Sequence, residues 1–335
     1  LDAHARVLQV VFDQENLHGP SYGIAVHEGK LAGIGNEPAT NKVYTSAADR
    51  NTPRSRMPTG AQPKVILLWS FLVYDPLAHW IWGGGWLSKL GVIDFAGGLV
   101  VHLSSGASAL VMACMLGKRI GYPSELFIPH NLTITILGAG LLWFGWFGFN
   151  AGSALAANFN AALAFITTMT AAAAAACAWM VMEWWFHNRP SALGMATGII
   201  AGLATVTPAA GYVRPEWAIV IGFVAGLVCF YGVRLKFKFG YDDSLDVVGV
   251  HGIGGVIGPL ATGVFATVGA KGLITGSLSL FVAQLIGVAV VGLYSCLVTY
   301  LLGLVLDKVM GLRVEDDEEV SGLDRLRVRP HGPWS

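Results

Sequence analysis

The chain alternates between long stretches without charge and short polar connections. No Asp, Glu, Lys or Arg occurs from Phe127 to Met182, from Pro190 to Val213, or from Gly272 to Leu306. A helix that crosses a bilayer needs about 20 predominantly apolar residues, so each block holds one or two crossings. The pattern predicts eight helices, over residues 65–86, 95–116, 131–151, 160–186, 191–210, 216–233, 247–267 and 274–306. The last uncharged block of 35 residues would measure about 52 Å as one helix, which predicts a steep tilt or a start in the outer connection.

Composition strengthens this picture. Of the 335 residues, 54% are hydrophobic and 13% charged, and mean hydropathy is +0.59, against about 25% charged residues in a typical soluble domain. The expected class is an all-α polytopic membrane protein. Residues 1–63 are polar, dotted with Gly and Pro, and contain no crossing or signal peptide; a soluble appendage, a disordered segment and a wrongly framed one all stay open. Residues 64–312 are expected to be the transmembrane domain and 313–335 an acidic tail, with EDDEE at 315–319 solvated and available for a regulatory contact.

Charge adds a direction. Arg54, Arg56, Lys64, Lys118, Arg119, Arg189, Arg234, Lys236, Lys238, Lys308 and Arg313 fall in alternate connections, whereas the opposite connections carry Lys89, Arg214 and Lys271. The positive-inside rule then puts both ends of the membrane part in the cytoplasm, in a cell (inner) membrane. Formal net charge is zero, which implies no nucleic-acid partner. The four cysteines, Cys114, Cys177, Cys229 and Cys296, lie one per predicted helix with no metal-type spacing and are expected to be small buried residues. No HExxH motif occurs and no helix carries a histidine pair of the haem-binding kind, so an enzyme is not expected, nor is a metal or cofactor.

Glycines recur every four residues, as in Gly194, Gly198 and Gly202, or Gly254 and Gly258. Lipid gives helices no hydrophobic reason to associate, and small residues at this spacing let backbones approach and gain dispersion contact.

Two histidines interrupt the apolar runs DFAGGLVVHLSSGASALVMACML (94–116) and VVGVHGIGGVIGPLATGVFAT (247–267). An ionisable residue inside a crossing marks a functional site by default. His102 follows Asp94 by eight residues, His251 follows Asp246 by five, and each has Gly four residues later. Two weakly similar helices of this kind suggest an internal repeat, and transport sites lie at repeat interfaces. Neutral imidazole has one donor and one acceptor, so two rings can bond each other and still offer nitrogen to a small polar solute. Nearby indoles such as Trp82 and Trp146 have faces that attract ammonium-type cations.

The segments DFAGGLVVH, HNLTITILGAG, GWFGFNAGSA, GLATVTPAAGYV and DVVGVHGIGG, with GLRVEDDEEVSGLD after the last helix, resemble the ammonium transporter family (Amt/Mep/Rh) from about Val65 to Asp324. The likeness begins at the family's fourth helix. It implies an ammonium-transporter-like bundle, with about eight of the eleven helices that a member's protomer has, assembled as a homotrimer, with a PII-type signalling protein as regulator at the cytoplasmic face. By position, Trp82 and Ser153 match an outer site that draws in the cation, and Asp94 matches a buried aspartate that shapes this site by capping helix amides. Phe149 matches the inner of two gate phenylalanines, His102 and His251 the twin histidines of the pore, and Leu142 and Trp146 its wall. The implied activity is to bind NH4+, remove its proton and pass NH3. A truncated, non-conducting sensor or scaffold for a PII-type regulator is the alternative.

Overall fold

The computed structural model describes residues 56–58, 60–124 and 131–321. Most of the polar segment 1–63, and the tail beyond residue 321, lie outside the described residues. The described part is helical, with no strand. Seven helices are long and apolar enough to cross a membrane: α1 (Gln62–Lys89, broken at Gly83–Gly85), α2 (Gly98–Leu116), α3 (Leu132–Gly152), α4 (Phe159–His187), α6 (Pro215–Phe239), α7 (Val248–Phe265) and α8 (Leu278–Met310). Between α4 and α6 stands α5 (Ala192–Val206), and a short α9 (Asp316–Ser321) follows α8. The protein is thus a multi-pass membrane bundle close to the eight-helix expectation.

Two boundaries differ from the pattern for local reasons. The predicted crossing 191–210 stops as a helix at Val206 and becomes a series of turns; Thr207 still has α-region angles, but Pro208 has no N–H to carry the ladder on. The predicted 274–306 begins as a helix only at Leu278, since Gly276 takes a left-handed φ of 84°. At its far end α8 continues to Met310, beyond the uncharged block.

Large apolar side chains such as Phe71, Phe144, Leu293 and Val305 are exposed on the outside, as a bundle solvated by lipid requires. The same setting corrects the expectation for cysteine: Cys229 is buried, but Cys114 and Cys177 face outward, which costs an apolar thiol little when the solvent is hydrocarbon. Asp75, in the middle of α1, also points outward, directly after a π-helical turn at Ser70–Tyr74.

Glycine sets how closely the helices approach. A Cβ on Gly198 would lie 2.7 Å from Trp179 Cβ, one on Gly202 2.6 Å from the Ala171 carbonyl oxygen, and one on Gly226 2.5 Å from that of Ala175. The alanine-rich face of α4 is therefore clasped between the glycine stripes of α5 and α6.

Connections that the charge pattern assigned to one side do meet at one end of the bundle. The Arg119 guanidinium holds the Asp242 carboxylate with two bonds of 2.7 Å, and Arg56 donates to the Gly117 and Asp242 carbonyls. Arg313, after α8, donates to the Leu116 and Lys118 carbonyls at 2.7 and 2.8 Å. In the acidic tail Glu315, Asp316 and Asp317 are exposed, but Glu319 departs from the solvated expectation: it is buried, accepting the Ile120 amide at 2.8 Å and pairing with Arg313 at 3.0 Å. The amide ends of the loop after α2 and the arginine beside it supply the partners that solvation would otherwise provide.

Candidate functional site

α2 and α7 are built alike. Each opens with a π-helical turn, Gly98–Leu103 and Val248–Gly252, and each continues as 13 α-helical residues. Each begins against an aspartate. The Asp94 carboxylate accepts the amides of Gly97, Gly98, Leu99 and Val100 at 2.7–3.1 Å, satisfying the donors that every helix start leaves open. At α7 the corresponding residue is Asp243, which accepts the Val247 and Val248 amides at 3.1 and 2.8 Å. This corrects the assignment of Asp246, whose carboxylate is 2.5 Å from Lys236 Nζ. The spacing to the histidine is then eight residues in both copies, a regularity that could have singled out Asp243 from the sequence.

The matching construction brings the histidines together. A Cβ on Gly106, four residues after His102, would run into the backbone of Gly252; one on Gly255, four residues after His251, would run into that of Leu103. Each glycine thus admits the residue that follows the opposite histidine. At this crossing His102 Nδ1 and His251 Nδ1 stand 3.2 Å apart, with ring centroids separated by 5.2 Å. Both side chains are buried, and among the described residues His102 Nε2 has no hydrogen-bond partner.

The other predicted residues extend this pair into a column of rings. The Trp146 indole stacks on His102 at 5.3 Å, and Phe149 meets Trp146 edge-on at 6.0 Å. Leu142, one turn earlier on α3, is buried. Trp146 is held by Thr207, whose hydroxyl accepts the indole N–H at 3.0 Å; only the structure singles out Thr207, because the contact joins α3 to the turn after α5. Trp82 donates its indole N–H to the Asp94 carbonyl at 2.7 Å, so one aspartate caps α2 with its side chain and anchors the indole with its backbone. Ser153 ends α3 with its hydroxyl bonded to the Phe149 carbonyl at 2.8 Å. Trp82 and Phe149 pack against the same apolar cluster.

Electrostatics concentrate at the opposite mouth. Burial alone would raise the Asp242 carboxyl, yet the Arg119 guanidinium and the nearby Arg56 hold it below the ordinary carboxylate range. Asp243 is pushed up to about 6 by burial and the neighbouring Asp246 charge, against the pull of Lys236 and two amides. Among the described residues no group of three or more His, Cys, Asp or Glu gathers to hold a metal.

Comparison with known proteins agrees with this architecture. Residues 56–330 match the sequence model of the Ammonium Transporter Family. The chain is 48% identical over 291 residues to the ammonium transporter of Bacillus subtilis (strain 168), covering 85% of this chain and 72% of that protein. It is 51% identical over 260 residues to ammonium transporter Amt1 of Archaeoglobus fulgidus, covering 77% and 66%. Among solved structures, Candida albicans Mep2 superposes with a TM-score of 0.75 at 32% identity, covering 89% of this chain and 65% of that one. A sensor Amt protein superposes with a TM-score of 0.78 at 29% identity, covering 97% and 88%. The chain spans about two thirds of the length of the curated relatives it matches.

Proposed function

The chain belongs to the ammonium transporter family, and on that premise we propose that it carries ammonium nitrogen across a cell membrane as neutral ammonia, along His102 and His251. The observation that carries this reading is the 3.2 Å contact between the two buried Nδ1 atoms. One Nδ1 must donate and the other accept, so the two Nε2 atoms are left as one acceptor and one donor. That pair of offers matches ammonia, which has N–H donors and one lone pair.

A bare cation would lose its hydration in such a place at prohibitive cost. An amine-type cation titrates near ~10 in water, and desolvation lowers that value, so the proton is the cheaper thing to shed. In this reading Trp82 and Ser153 gather the cation and the proton leaves beside Phe149. Asp94 sets the geometry, since the amides it caps already occupy both of its carboxylate oxygens. Trp146 and Leu142 wall the path. A potassium ion has no proton to give up and is refused without a tight filter.

Both ends of the membrane part are proposed to be cytoplasmic, three copies to form the assembly, and a PII-type protein to regulate it from that side. The basic connections gathered at one end support the orientation. Light scattering of the purified protein would give a mass of three chains.

Uptake of methylammonium or ammonium into proteoliposomes of this chain tests the conduction path, beside the His102→Ala, His251→Ala double variant. Uptake in the parent and its loss in the variant is the expected result; full uptake in the variant would overturn the path. A second reading, a sensor without conduction, is favoured by the likeness to a sensor Amt protein and by the docked segment around Glu319. It predicts ammonium binding by a correctly inserted chain that shows no uptake.

A further inference from the structure

At the inner ends of α4 and α6 lies a cluster that the conduction path does not use. The Arg234 guanidinium carbon sits 5.1 Å from the centre of the Phe186 ring and 4.8 Å from that of Phe230, and one guanidinium nitrogen is 3.1 Å from His187 Nε2. Tyr231 meets Phe186 and Phe230 edge-on, at 5.9 Å from each. Phe186, His187 and Tyr231 are exposed and Arg234 is half-buried.

Among the described residues no carboxylate pairs with Arg234. The acids nearest in sequence to the members of the cluster are committed elsewhere: Glu183, on α4 before Phe186, accepts the amide and hydroxyl of Ser191, Asp242 holds Arg119, and Asp246 holds Lys236. Arg189 and Lys238, close in sequence on the same two helix ends, are exposed and add positive charge.

From Arg234 an apolar stripe runs back along the bundle, formed by Val224, Val228 and Tyr231 on α6 with Val181 and Trp184 on α4, all exposed. A guanidinium resting against two neighbouring rings has its position set in advance and keeps donors in a fork suited to phosphate oxygens. Exposed Trp184 and Trp185 mark the depth at which headgroups meet acyl chains. We propose that this cluster binds the headgroup phosphate of an anionic phospholipid in the leaflet at this end of the bundle, with an acyl chain lying along the stripe. The excess of positive charge, with no free carboxylate beside it, selects an anionic lipid over a zwitterionic one.

The test places the full chain in phosphatidylcholine nanodiscs and follows thermal unfolding as phosphatidylglycerol is added. The parent is expected to gain stability, and Arg234→Gln to need about fivefold more phosphatidylglycerol for the same gain, with a smaller shift for Lys238→Gln. Equal responses of parent and Arg234→Gln would overturn the proposal. So would an equal gain from inorganic phosphate in phosphatidylcholine discs, which would mean a free-anion site. A change of oligomeric mass in Arg234→Gln without any lipid response would overturn it too, because a second copy would then cover the face. Should Arg234→Gln not fold, brominated lipids give a second readout on the parent. Brominated phosphatidylglycerol should quench tryptophan fluorescence more than brominated phosphatidylcholine, and the preference should vanish in the Trp184→Phe, Trp185→Phe variant; equal quenching by the two lipids overturns the site.

Discussion

Asp94 puts a carboxylate where the start of α2 offers four open amides, and those four bonds of 2.7–3.1 Å occupy both of its oxygens. A buried donor left without a partner costs about 1–3 kcal/mol, so Asp94→Ala is expected to lower stability by about 3 kcal/mol and to abolish uptake by loosening Trp82. Asp94→Asn keeps one acceptor oxygen and should fall between the two in both properties. If the asparagine variant melted like the parent yet took up nothing, the carboxylate would be acting on the cation directly and the capping role would be wrong. Single residues were unequally legible in the sequence. The histidines announced themselves because an ionisable group in an apolar run is costly. Asp243 and Thr207 did not, since Asp243 stands among two other aspartates of DDSLD, and Thr207 matters only through a contact with Trp146 from another helix.

At the level of elements, the crossing of α2 and α7 depends on two hydrogen atoms, those that Gly106 and Gly255 have in place of a side chain. Replacing either by alanine drives a methyl group into the opposite backbone, an overpacking that costs about 1–3 kcal/mol and pushes the histidines apart. Gly106→Ala and Gly255→Ala are therefore expected to lose most uptake and to melt earlier. Gly292→Ala, on a part of α8 where a Cβ meets nothing within 4 Å, should be neutral or slightly stabilising, because alanine is the better helix former by up to about 1 kcal/mol. Equal behaviour of the three variants in a thermal melt would show that the crossing tolerates more room. The helices themselves were legible because uncharged length is a direct requirement of the bilayer. Their ends were less so: Pro208 acts through a missing backbone donor and Gly276 through a left-handed φ, neither of which hydropathy records. The π-helical starts of α2 and α7 left no periodic signal, since the residues around them are apolar on every side.

For the whole molecule, the end of the bundle opposite Trp82 is tied by charge. Asp242 links the loop before α7 to Arg119 after α2 and to Arg56 before α1, while Arg313 and Glu319 bring the segment after α8 onto the same loop. Charge alternation had placed these connections on one side, but it could not distinguish a solvated acidic tail from one with Glu319 buried beneath it. Because Asp242 titrates lower folded than unfolded, the folded state binds its proton less readily, so its contribution to stability is complete above the unfolded value near ~3.9 and disappears as pH falls through the lowered folded value. Removing one member of a buried ion pair strands the other at about 3–5 kcal/mol, and Arg119 is buried. Asp242→Asn should thus melt well below the parent at neutral pH, and the gap should narrow only in strong acid, below about pH 4. A gap that closed already between pH 5 and 7 would mean that the Asp242 carboxylate is not held low by the clamp on Arg119, and Asp243 could not account for it, since its carboxyl, raised to about 6, binds a proton more readily folded than unfolded and so favours the fold as pH falls.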